Sequence, residues 1–483
     1  MSVEIETSAA AAPTRLREIE ELPGPRGLPF VGNLFQVDRP RLHQSIERWA
    51  RDYGPFFRFR LAQRRILVVA DHTAMGAILR DRPDGFRRTK RFAEVSAEMG
   101  AAAVGVFGAE GDAWRRQRRM VMAGFDPRHL RAYFPSLAKV SGRLLARWQR
   151  AADASQPIDL QADLMRYTVD SVAGLAFGAD VNTLESDDDV IQQHLDKIFP
   201  ALFRRLFAAF PTWRWWKSAA DHELDRSIAA VGIAIQGFLD AARTRLDDPE
   251  RRAAPRNLLE AMIVAADDPQ SGITPGEVHG NVMTMLLAGE DTTANTLAWA
   301  VWLLYRHPAC LALAREEVDR ELGDLSSWTP EAFAKLDYVE ACASETLRLK
   351  PVVPFIMLQA LRETSVAGIR VPADTLIWGA MRADPLSDKY FDHASRFDPG
   401  RWLDDSVAHG AASANRVAMP FGAGPRVCPG RHLAMIEIKM ALAVLVGYFD
   451  IESVSAHGGD EPDERVTLTM APEPLTLRLR RRA

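Results

Sequence analysis

The most informative ten residues of this chain read Phe421-Gly422-Ala423-Gly424-Pro425-Arg426-Val427-Cys428-Pro429-Gly430. Their glycines and prolines predict a fixed loop rather than a helix or a strand. An apolar helical pattern begins at Arg431, so the thiol of Cys428 faces the start of a helix, where the dipole and free N–H groups favour the thiolate. Because the thiolate is the form that binds metals, the loop predicts a site for one anionic sulfur ligand.

This stretch resembles the haem-binding loop of the cytochrome P450 superfamily, written F-x-x-G-x-R-x-C-x-G. All fixed positions match, and they are held by Phe421, Gly424, Arg426, Cys428 and Gly430. The resemblance implies that the cofactor is haem b (iron protoporphyrin IX) and that Cys428 is the axial thiolate ligand of its iron. The alternative is a buried structural cysteine in a glycine-rich turn, which leaves the arginine and the proline as coincidences.

Length and composition narrow the class of protein. The 483 residues contain no long linker in the middle of the chain, so one large haem domain is predicted over residues 22–483. A net charge of -4 with interspersed signs argues against nucleic-acid binding. Three cysteines are too few for a disulfide framework and suit a reducing, cytoplasmic compartment.

The N-terminal segment, residues 1–21, is acidic and Ala-rich without an apolar core, so it is predicted to be disordered and is neither a signal peptide nor an anchor. Residues 22–27 resemble the Pro-rich hinge that follows the anchor in microsomal family members. Apolar runs such as residues 440–449 are shorter than the roughly 20 residues that a membrane span needs. The chain is therefore predicted to have no membrane span.

Helical periodicity dominates the middle of the chain, and short strand patterns occur at residues 56–60, 66–69, 368–380 and 466–478. These patterns predict a mainly α protein with small β-sheets, as in the cytochrome P450 fold. The capping box from Thr274 to Glu277 predicts a helix that runs as far as His307, where a proline follows. By the resemblance, this helix crosses the domain over the haem.

The middle of this helix reads Ala288-Gly289-Glu290-Asp291-Thr292-Thr293, which matches the family's A-G-x-D/E-T-T motif. Its polar residues weaken a buried helix, and such a conflict is typical of functional sites. The resemblance implies that Ala288 lies against the haem, while Asp291 and Thr292 deliver the protons that O2 cleavage consumes. A threonine here can also bond back to the carbonyl four residues earlier.

Glu345 and Arg348 lie on one helix face, and Arg401 follows in a segment that matches the family's F-x-P-x-R-F/W element. Taken alone, the first two residues indicate a solvated surface pair of little energetic value. With Arg401, they resemble the charged triad that locks the family's core behind the cysteine loop.

Trp114 and Arg118 match the family's W-x-x-x-R motif, and at i and i+4 both are expected to meet a haem propionate. Many family members place a further Arg or His shortly after the proline that follows the E-x-x-R helix. In this chain no cation follows Pro354 until Arg362, which is too distant in sequence. Propionate binding is therefore assigned to Trp114, Arg118 and Arg426.

The predicted substrate pocket is apolar, with the candidate lining residues Val104, Phe107, Val353, Phe355 and Met470. Residues 199–216 are rich in Phe and Trp, which indicates either a helix pair that packs its rings into the body or a lid over the pocket. A patch that contacts membranes is a third possibility. The expected substrate is a fatty acid, a terpenoid or a steroid.

Four motifs in the family's order identify the chain as a member, and the expected activity is that of a soluble, bacterial haem-thiolate monooxygenase close to the fatty-acid hydroxylase and microsomal-like branches. It is expected to hydroxylate or epoxidise its substrate with O2. No flavin or iron–sulfur extension follows the last strand pattern, so a separate ferredoxin or flavodoxin, with its reductase, is the expected electron donor. It would dock on a basic surface formed by Arg115, Arg116, Arg119 and Lys439.

Three other functions remain open at this point. The same fold can support a peroxide-driven peroxygenase, or an isomerase or dehydratase that works without O2. A haem-binding sensor without turnover is the third. The acid–alcohol pair of Asp291 and Thr292 argues against the first and has no purpose in the last.

Overall fold

A computed structural model describes residues 15–99, 105–125, 127–186, 191–208, 210–403, 413–456, 458–459 and 461–482. The predicted pocket residue Val104 and the first 14 residues of the predicted disordered segment lie outside the described residues. Within these ranges the chain is mainly helical with small sheets, which confirms the predicted fold class.

The described helices are α1 (Leu42–Tyr53), α2 (His72–Arg80), α3 (Lys90–Glu98), α4 (Gly111–Gly124), α5 (Pro127–Asp153), α6 (Leu160–Phe177), α7 (Ile191–Leu195), α8 (Ile198–Leu206), α9 (Ala219–Arg245), α10 (Pro249–Ala253), α11 (Leu258–Asp267), α12 (Pro275–Arg306), α13 (Pro308–Glu321), α14 (Pro330–Phe333), α15 (Asp337–Leu349), α16 (Ala414–Ala418) and α17 (Arg431–Tyr448). Short 3-10 turns supplement them at Ile19–Glu21, Leu34–Gln36, Thr212–Arg214, Leu325–Ser327, Pro399–Trp402 and Gly424–Arg426.

The described strands are β1 (Phe56–Leu61), β2 (Arg64–Val69), β3 (Phe86–Arg88), β4 (Ile158–Asp159), β5 (Phe355–Ala360), β6 (Thr364–Val366), β7 (Ile369–Val371), β8 (Leu376–Ala380), β9 (Phe449–Ala456), β10 (Glu464–Val466), β11 (Met470–Pro472) and β12 (Leu475–Arg481). The largest sheet has the order β1-β2-β8-β5-β3, in which only β2 and β8 run parallel. A second sheet has the order β4-β12-β9, and two hairpins join β6 to β7 and β10 to β11. The first two predicted strand patterns correspond to β1 and β2, which pair as an antiparallel hairpin.

The long helix α12 forms where the capping box predicts it. The hydroxyl of Thr274 accepts a hydrogen bond from the Glu277 N–H at 3.2 Å, and the Glu277 carboxylate accepts one from the Thr274 N–H at 2.8 Å. The helix has 32 residues and therefore measures about 48 Å at roughly 1.5 Å per residue. Its length and its bounds agree with the helix that the sequence predicts.

The two halves of α12 belong to different hydrophobic clusters. Its first half, up to Leu287, packs with residues of α6, α9 and α11. Its second half, from Ala294 onward, packs with residues of α15 and α17. The motif of residues 288–293 therefore lies at the junction of two cores, where apolar packing is interrupted and a cavity can form.

The prediction that the N-terminal segment is disordered is wrong for residues 15–21. The Arg17 N–H donates to the Gly368 carbonyl at 3.0 Å, and the Ile19 side chain is buried among residues of the largest sheet. Isolated apolar residues in an otherwise polar segment were enough to attach it, because β7 offers an unpaired edge beside them.

Within the described residues, no single helix has both the length and the apolar composition that crossing a membrane requires. The helices α12 and α13 meet these criteria only when they are taken together as a pair bent by 111°.

Candidate functional site

The loop that precedes α17 holds Cys428 in a fixed position. Residues 424–426 form a 3-10 turn, and the Cys428 N–H donates back to the Phe421 carbonyl at 2.9 Å. The helix α17 then begins at Arg431, three residues after the cysteine, as predicted. The thiol is therefore presented at the start of a helix on a closed loop.

The glycine at position 424 is required for two reasons. Its φ is +71°, which side-chain-bearing residues rarely adopt. A Cβ atom there would lie 2.6 Å from the Leu79 carbonyl oxygen and 2.7 Å from the Arg80 Cα atom. Gly424 therefore allows the cysteine loop to pack directly on the backbone of α2.

Nearby charges and burial shift the pKa of the Cys428 thiol in opposite directions. Burial raises the pKa of Cys428, whereas the Gly430 N–H and the cations of Arg118 and Arg431 lower it. The helix start alone thus does not outweigh burial, contrary to the expectation from the sequence. A positively charged metal beside the sulfur supplies the further stabilisation that the thiolate needs.

A cavity of about 350 Å³ lies between the cysteine loop and α12. Cys428 is in one part of its wall, and Ala288, Gly289 and Thr292 are in another. Most of the remaining wall is apolar and comes from α4, α6, the segment before β5 and the loop around residue 106. The two motifs that predicted the site therefore line one cavity.

Trp114, Arg118 and Arg426 also line this cavity, as their predicted role requires. The Arg118 guanidinium donates to the Val427 carbonyl at 2.8 Å, and the Arg426 guanidinium lies 4.7 Å from the centre of the Trp114 ring. Arg426 also donates to the Glu110 carboxylate at 2.6 Å. These contacts join α4 to the two loop residues that directly precede Cys428.

Two further arginines, Arg82 and Arg88, lie in the cavity wall, and no motif in the sequence marks them. Burial lowers the pKa of Arg88, and the nearby charges of Arg82 and Arg426 lower it further. Two guanidinium nitrogens of Arg82 are buried without a hydrogen-bond partner, and its nearest carboxylate, Glu110, is 3.7 Å away. In a polar segment such as residues 81–88, sequence alone does not distinguish a buried arginine from a solvated one.

These arginines fit a dianionic ligand. Among the described residues, Glu110 is the one carboxylate whose charge acts on Arg82, Arg88 and Arg426 together. Buried cations are normally paired, so this excess of positive charge calls for an anion in the cavity. Haem, with an apolar ring, two propionates and an iron that accepts a thiolate, fits the arginines, the apolar walls and Cys428. Arg82 and Arg88 supply the cations that are absent after Pro354.

In the motif of residues 288–293, Thr292 combines the two alternatives that the sequence left open, a place in the cavity wall and a bond back to its own helix. The Thr292 hydroxyl donates to the Ala288 carbonyl four residues earlier at 2.7 Å, and it also lines the cavity. The Asp291 carboxylate accepts hydrogen bonds from the Asn295 amide at 2.8 Å and from the Thr469 hydroxyl. Burial raises the pKa of Asp291, although these two donors oppose the increase.

Gly289 has a packing role that the sequence did not reveal. A Cβ atom at this position would lie 2.5 Å from Cγ2 of Val172 on α6. The glycine therefore allows α6 and α12 to approach each other closely, in addition to leaving space in the cavity.

Buried carboxyl groups surround the same part of α12. Glu437 on α17 lines the cavity, and its hydrogen bond from Thr293 only partly opposes burial, which raises its pKa well above the ordinary value. Glu290 lies outside the cavity wall and is 2% exposed. The sequence placed no role on either residue, because acids on a helix are usually solvated.

The predicted charged triad is assembled and buried. The Arg348 guanidinium donates to the Glu345 carboxylate at 2.7 Å and 2.8 Å, and both side chains are inaccessible to solvent. Arg401 donates to the same carboxylate at 3.2 Å, and the Trp402 indole N–H donates at 3.0 Å. The alternative of a solvated surface pair is therefore wrong.

Two of the predicted pocket residues, Phe107 and Val353, line the cavity. Phe355 and Met470 lie in the hydrophobic core instead. Phe355 stacks on Trp378 with ring centroids 6.0 Å apart, because alternation along β5 turns Ile356 rather than Phe355 toward the cavity. The turn before β11 reaches the site through Thr469, one residue before Met470.

The aromatic segment of residues 199–216 divides into two parts. Its first part packs inward, and the indole N–H of Trp213 donates to Glu98 at 2.8 Å. Phe210, Trp215 and Trp216 are 72%, 76% and 82% exposed. Of the described residues in this segment, none lines the cavity.

The predicted basic docking surface is smaller than expected. Arg115 pairs with Asp84 and Asp112, and Arg116 lies 3.5 Å from the Glu277 carboxylate. Lys439 is buried and donates to Glu340 at 2.8 Å, so it is not available to a partner. Arg119 and Arg431 are exposed cations near the cysteine loop. The charge of Arg431 lowers the pKa of Cys428.

Comparison with known proteins agrees with this geometry. The family model described as "Cytochrome P450" matches residues 22–479. Thromboxane-A synthase of Sus scrofa is 27% identical, over 89% of this chain and 86% of its own. Cytochrome P450 81F1 of Arabidopsis thaliana is 28% identical, over 91% and 88%, and the putative cytochrome P450 cyp-13B1 of Caenorhabditis elegans is 26% identical, over 95% and 94%.

These relatives are eukaryotic, so the bacterial origin stays a prediction. Among solved structures, the haem domain of cytochrome P450DA has the same fold, with a TM-score of 0.82 at 23% identity over 97% of this chain and 99% of that one. The match along nearly the whole chain and the fitted cysteine site together establish that this protein belongs to the cytochrome P450 family, whose members hold haem by a cysteine thiolate.

Proposed function

We propose that this oxidoreductase inserts one oxygen atom from O2 into an apolar C–H or C=C bond of a lipophilic small molecule. The observation that supports this best is the presence of the Cys428 thiol and the Thr292 hydroxyl in the wall of one apolar cavity. When bound, haem supplies the redox and oxygen chemistry, as in the family at large. The electrons come from a separate protein, a ferredoxin or a flavodoxin with its reductase.

In this proposal the residues of α12 manage protons. The Thr292 hydroxyl holds a proton next to the reacting space, and it is oriented by the Ala288 carbonyl 2.7 Å away. Asp291 exchanges protons with it, since burial keeps the pKa of this carboxyl above its ordinary value and so eases proton uptake. Thr469 and Asn295 fix the position of the acid.

The cavity wall supports an apolar substrate. Above the cysteine loop the wall contains Val106, Phe107, Val353 and Ile356, none of which carries a charge. Such a pocket selects by shape and by buried apolar area, at about 0.8 kcal/mol per CH2 group. A fatty acid, a terpenoid or a steroid matches this requirement.

The primary experiment measures O2 consumption and product formation by the haem-loaded protein with a surrogate ferredoxin system and a library of lipophilic compounds. Substrate-dependent O2 uptake with oxygenated product is the expected result. Hydrogen peroxide without a donor forms the second arm, and product only in this arm would favour a peroxygenase. No product in either arm would contradict the proposal.

Two variants test the assigned residues. Cys428→Ser should abolish the red-shifted Soret band of the reduced carbon monoxide complex, whereas Cys310→Ser on α13 should retain it. Thr292→Ala should keep the haem but divert consumed O2 to hydrogen peroxide, because the hydroxyl that holds the proton is lost. Unchanged product per O2 in Thr292→Ala would exclude this role.

A further inference from the structure

A second acidic site adjoins α12 on the face that does not line the cavity. Glu290 is 2% exposed, and its Oε1 atom is buried without a hydrogen-bond partner. Burial raises its pKa well above the ordinary value, and the charges of Asp196 and Asp291 raise it further. Among the described residues, no basic side chain contributes to this shift.

Asp196 connects this buried acid to solvent. It lies between α7 and α8, is exposed on one side, and is in hydrogen-bonding contact with the Glu290 carboxyl on the other. The Gln192 amide donates to its carboxylate and orients it. Desolvation against α12 and the charge of Asp291 raise the pKa of Asp196 to about 7, so it gains and loses a proton near neutral pH.

The charged groups around the Asp196–Glu290 pair are mainly acidic. Asp291 faces it from α12 and Asp159 from β4, and both are acidic. Lys197 is next in sequence but pairs at 2.7 Å with Glu223 on α9, and its charge only partly opposes the rise in the pKa of Asp196. His194 is directed at Ser227 on the same helix. Two carboxyl groups in contact without a directly paired cation retain a proton between them.

Packing alone does not explain this arrangement. A buried polar group without its full set of partners costs stability, and apolar residues of similar volume are often better tolerated. Glu290 therefore lowers the stability of the fold in the same segment of α12 that contains Asp291 and Thr292. A role in proton movement accounts for both its burial and its neighbours.

We propose that Asp196 and Glu290 form a proton entry path from solvent to Asp291 on the back of α12. This inference rests on the proposed monooxygenase function. Asp196 takes a proton from water, and the shared proton passes to Glu290. Rotation of the Glu290 carboxyl group then turns that proton toward Asp291, and it passes through a bridging water to the ionised Asp291 carboxylate. One proton enters and one leaves, and no electron moves.

Infrared spectroscopy of the haem-loaded protein tests the pair without turnover. Glu290→Gln should remove one carbonyl stretching band of a protonated carboxylic acid, and Asp196→Asn should shift that band. The matched control is Asp225→Asn, which removes the charge of a carboxylate on α9 that is paired with Lys217 and should leave the band in place. Absence of such a band in the unmodified protein would overturn the proposal.

Coupling measurements test the path itself. With a turned-over substrate, Glu290→Gln and Asp196→Asn should each lower product per O2 several-fold and enlarge the solvent isotope effect, while Asp225→Asn should match the unmodified protein. Unchanged coupling in both variants would overturn the entry path. If the unmodified protein consumes no O2 with any substrate, the proposed function fails instead, and the infrared result still decides whether the pair shares a proton.

Discussion

At the scale of single residues, the most informative feature of the site is a group of buried cations that outnumber their carboxylate partner. Arg82, Arg88 and Arg426 share one carboxylate, Glu110, and burial lowers the pKa of each of them. In the haem-free protein these like charges repel one another in a poorly solvated space. The propionates of bound haem would offset that repulsion, so the same residues should oppose folding without the cofactor and favour its retention.

Because these arginines oppose folding but favour haem binding, Arg82→Ala should have opposite effects on the stability of the haem-free protein and on haem retention. The haem-free variant should be more stable to urea than the unmodified protein, because one unpaired buried charge is removed. Its haem should dissociate at least about tenfold faster, since a charge-assisted hydrogen bond contributes about 1.5–3 kcal/mol. Arg80→Ala, on the exposed end of α2, is the control and should change neither value. A haem-free Arg82→Ala protein that is less stable would contradict this account.

At the scale of elements, the close contact between α6 and α12 depends on the absence of a side chain at Gly289. Gly289→Ala places a Cβ atom 2.5 Å from the stiff, β-branched Val172. The overlap should lower the free energy of unfolding by about 1–3 kcal/mol. Helix propensity alone would give the opposite sign, by about 0.5–1 kcal/mol.

The double variant Gly289→Ala with Val172→Ala should recover most of that loss in thermal unfolding of the haem-loaded protein, because the shorter side chain leaves room for the new methyl group. If Gly289→Ala is instead more stable than the unmodified protein, the helices are not held at this separation by the glycine.

The hairpin of β10 and β11 is fixed by a buried ion network, and this network also positions the turn that bears Thr469. Glu464 accepts hydrogen bonds from Arg382 at 2.7 Å and from Lys350 at 2.7 Å, and contacts His43 at 2.7 Å. Arg382 also donates to Glu47 on α1 at 2.8 Å. Burial acts to raise the pKa of Glu464, but these donors outweigh it and hold the pKa well below its ordinary value.

A depressed pKa in the folded state predicts stability that is present above the unfolded value, about 4.3, and is lost as the pH falls below it. Glu464→Gln should therefore cost about 3 kcal/mol or more at pH 7. The difference from the unmodified protein should shrink progressively below about pH 4. Urea unfolding at a series of pH values measures both, with the exposed Glu461→Gln as a control. A pH-independent difference would exclude linkage through Glu464.

At the scale of the whole molecule, the surface around the cysteine loop determines how an electron donor can dock. Arg119 and Arg431 are exposed, whereas the charge of Arg115 is compensated by Asp84 and Asp112. An acidic donor should therefore bind near Arg119 and Arg431. Steering of this kind weakens with salt, over a screening length of about 8 Å at physiological ionic strength.

The rate of reduction by a surrogate acidic ferredoxin should fall as salt rises, and Arg119→Glu should slow it at low salt. Arg115→Glu, on the same helix, should have a smaller effect because that arginine is already paired. Stopped-flow reduction measures both variants. Equal effects of the two substitutions would show that compensation by Asp84 and Asp112 does not govern docking.

The sequence by itself determined the family, the fold class and the position of the cysteine, because each depends on local patterns. Gly and Pro in residues 421–430 specify a loop wherever it packs, and the capping box at Thr274 starts α12 without help from the rest of the chain. Motif order then places the cysteine loop and α12 in one known architecture. Such signals can be recognised in the sequence because they depend on residues that are close together along the chain.

Only the tertiary structure decided which polar side chains are buried and what they contact. Arg82 and Glu290 read as ordinary surface charges, and Phe355 differs from Ile356 only by the face of β5 on which each lies. Burial depends on contacts between residues that are far apart in sequence, as in the bond between Thr469 and Asp291. Desolvation and long-range charge pairing therefore set the chemistry of this site, and neither has a signature in the local sequence.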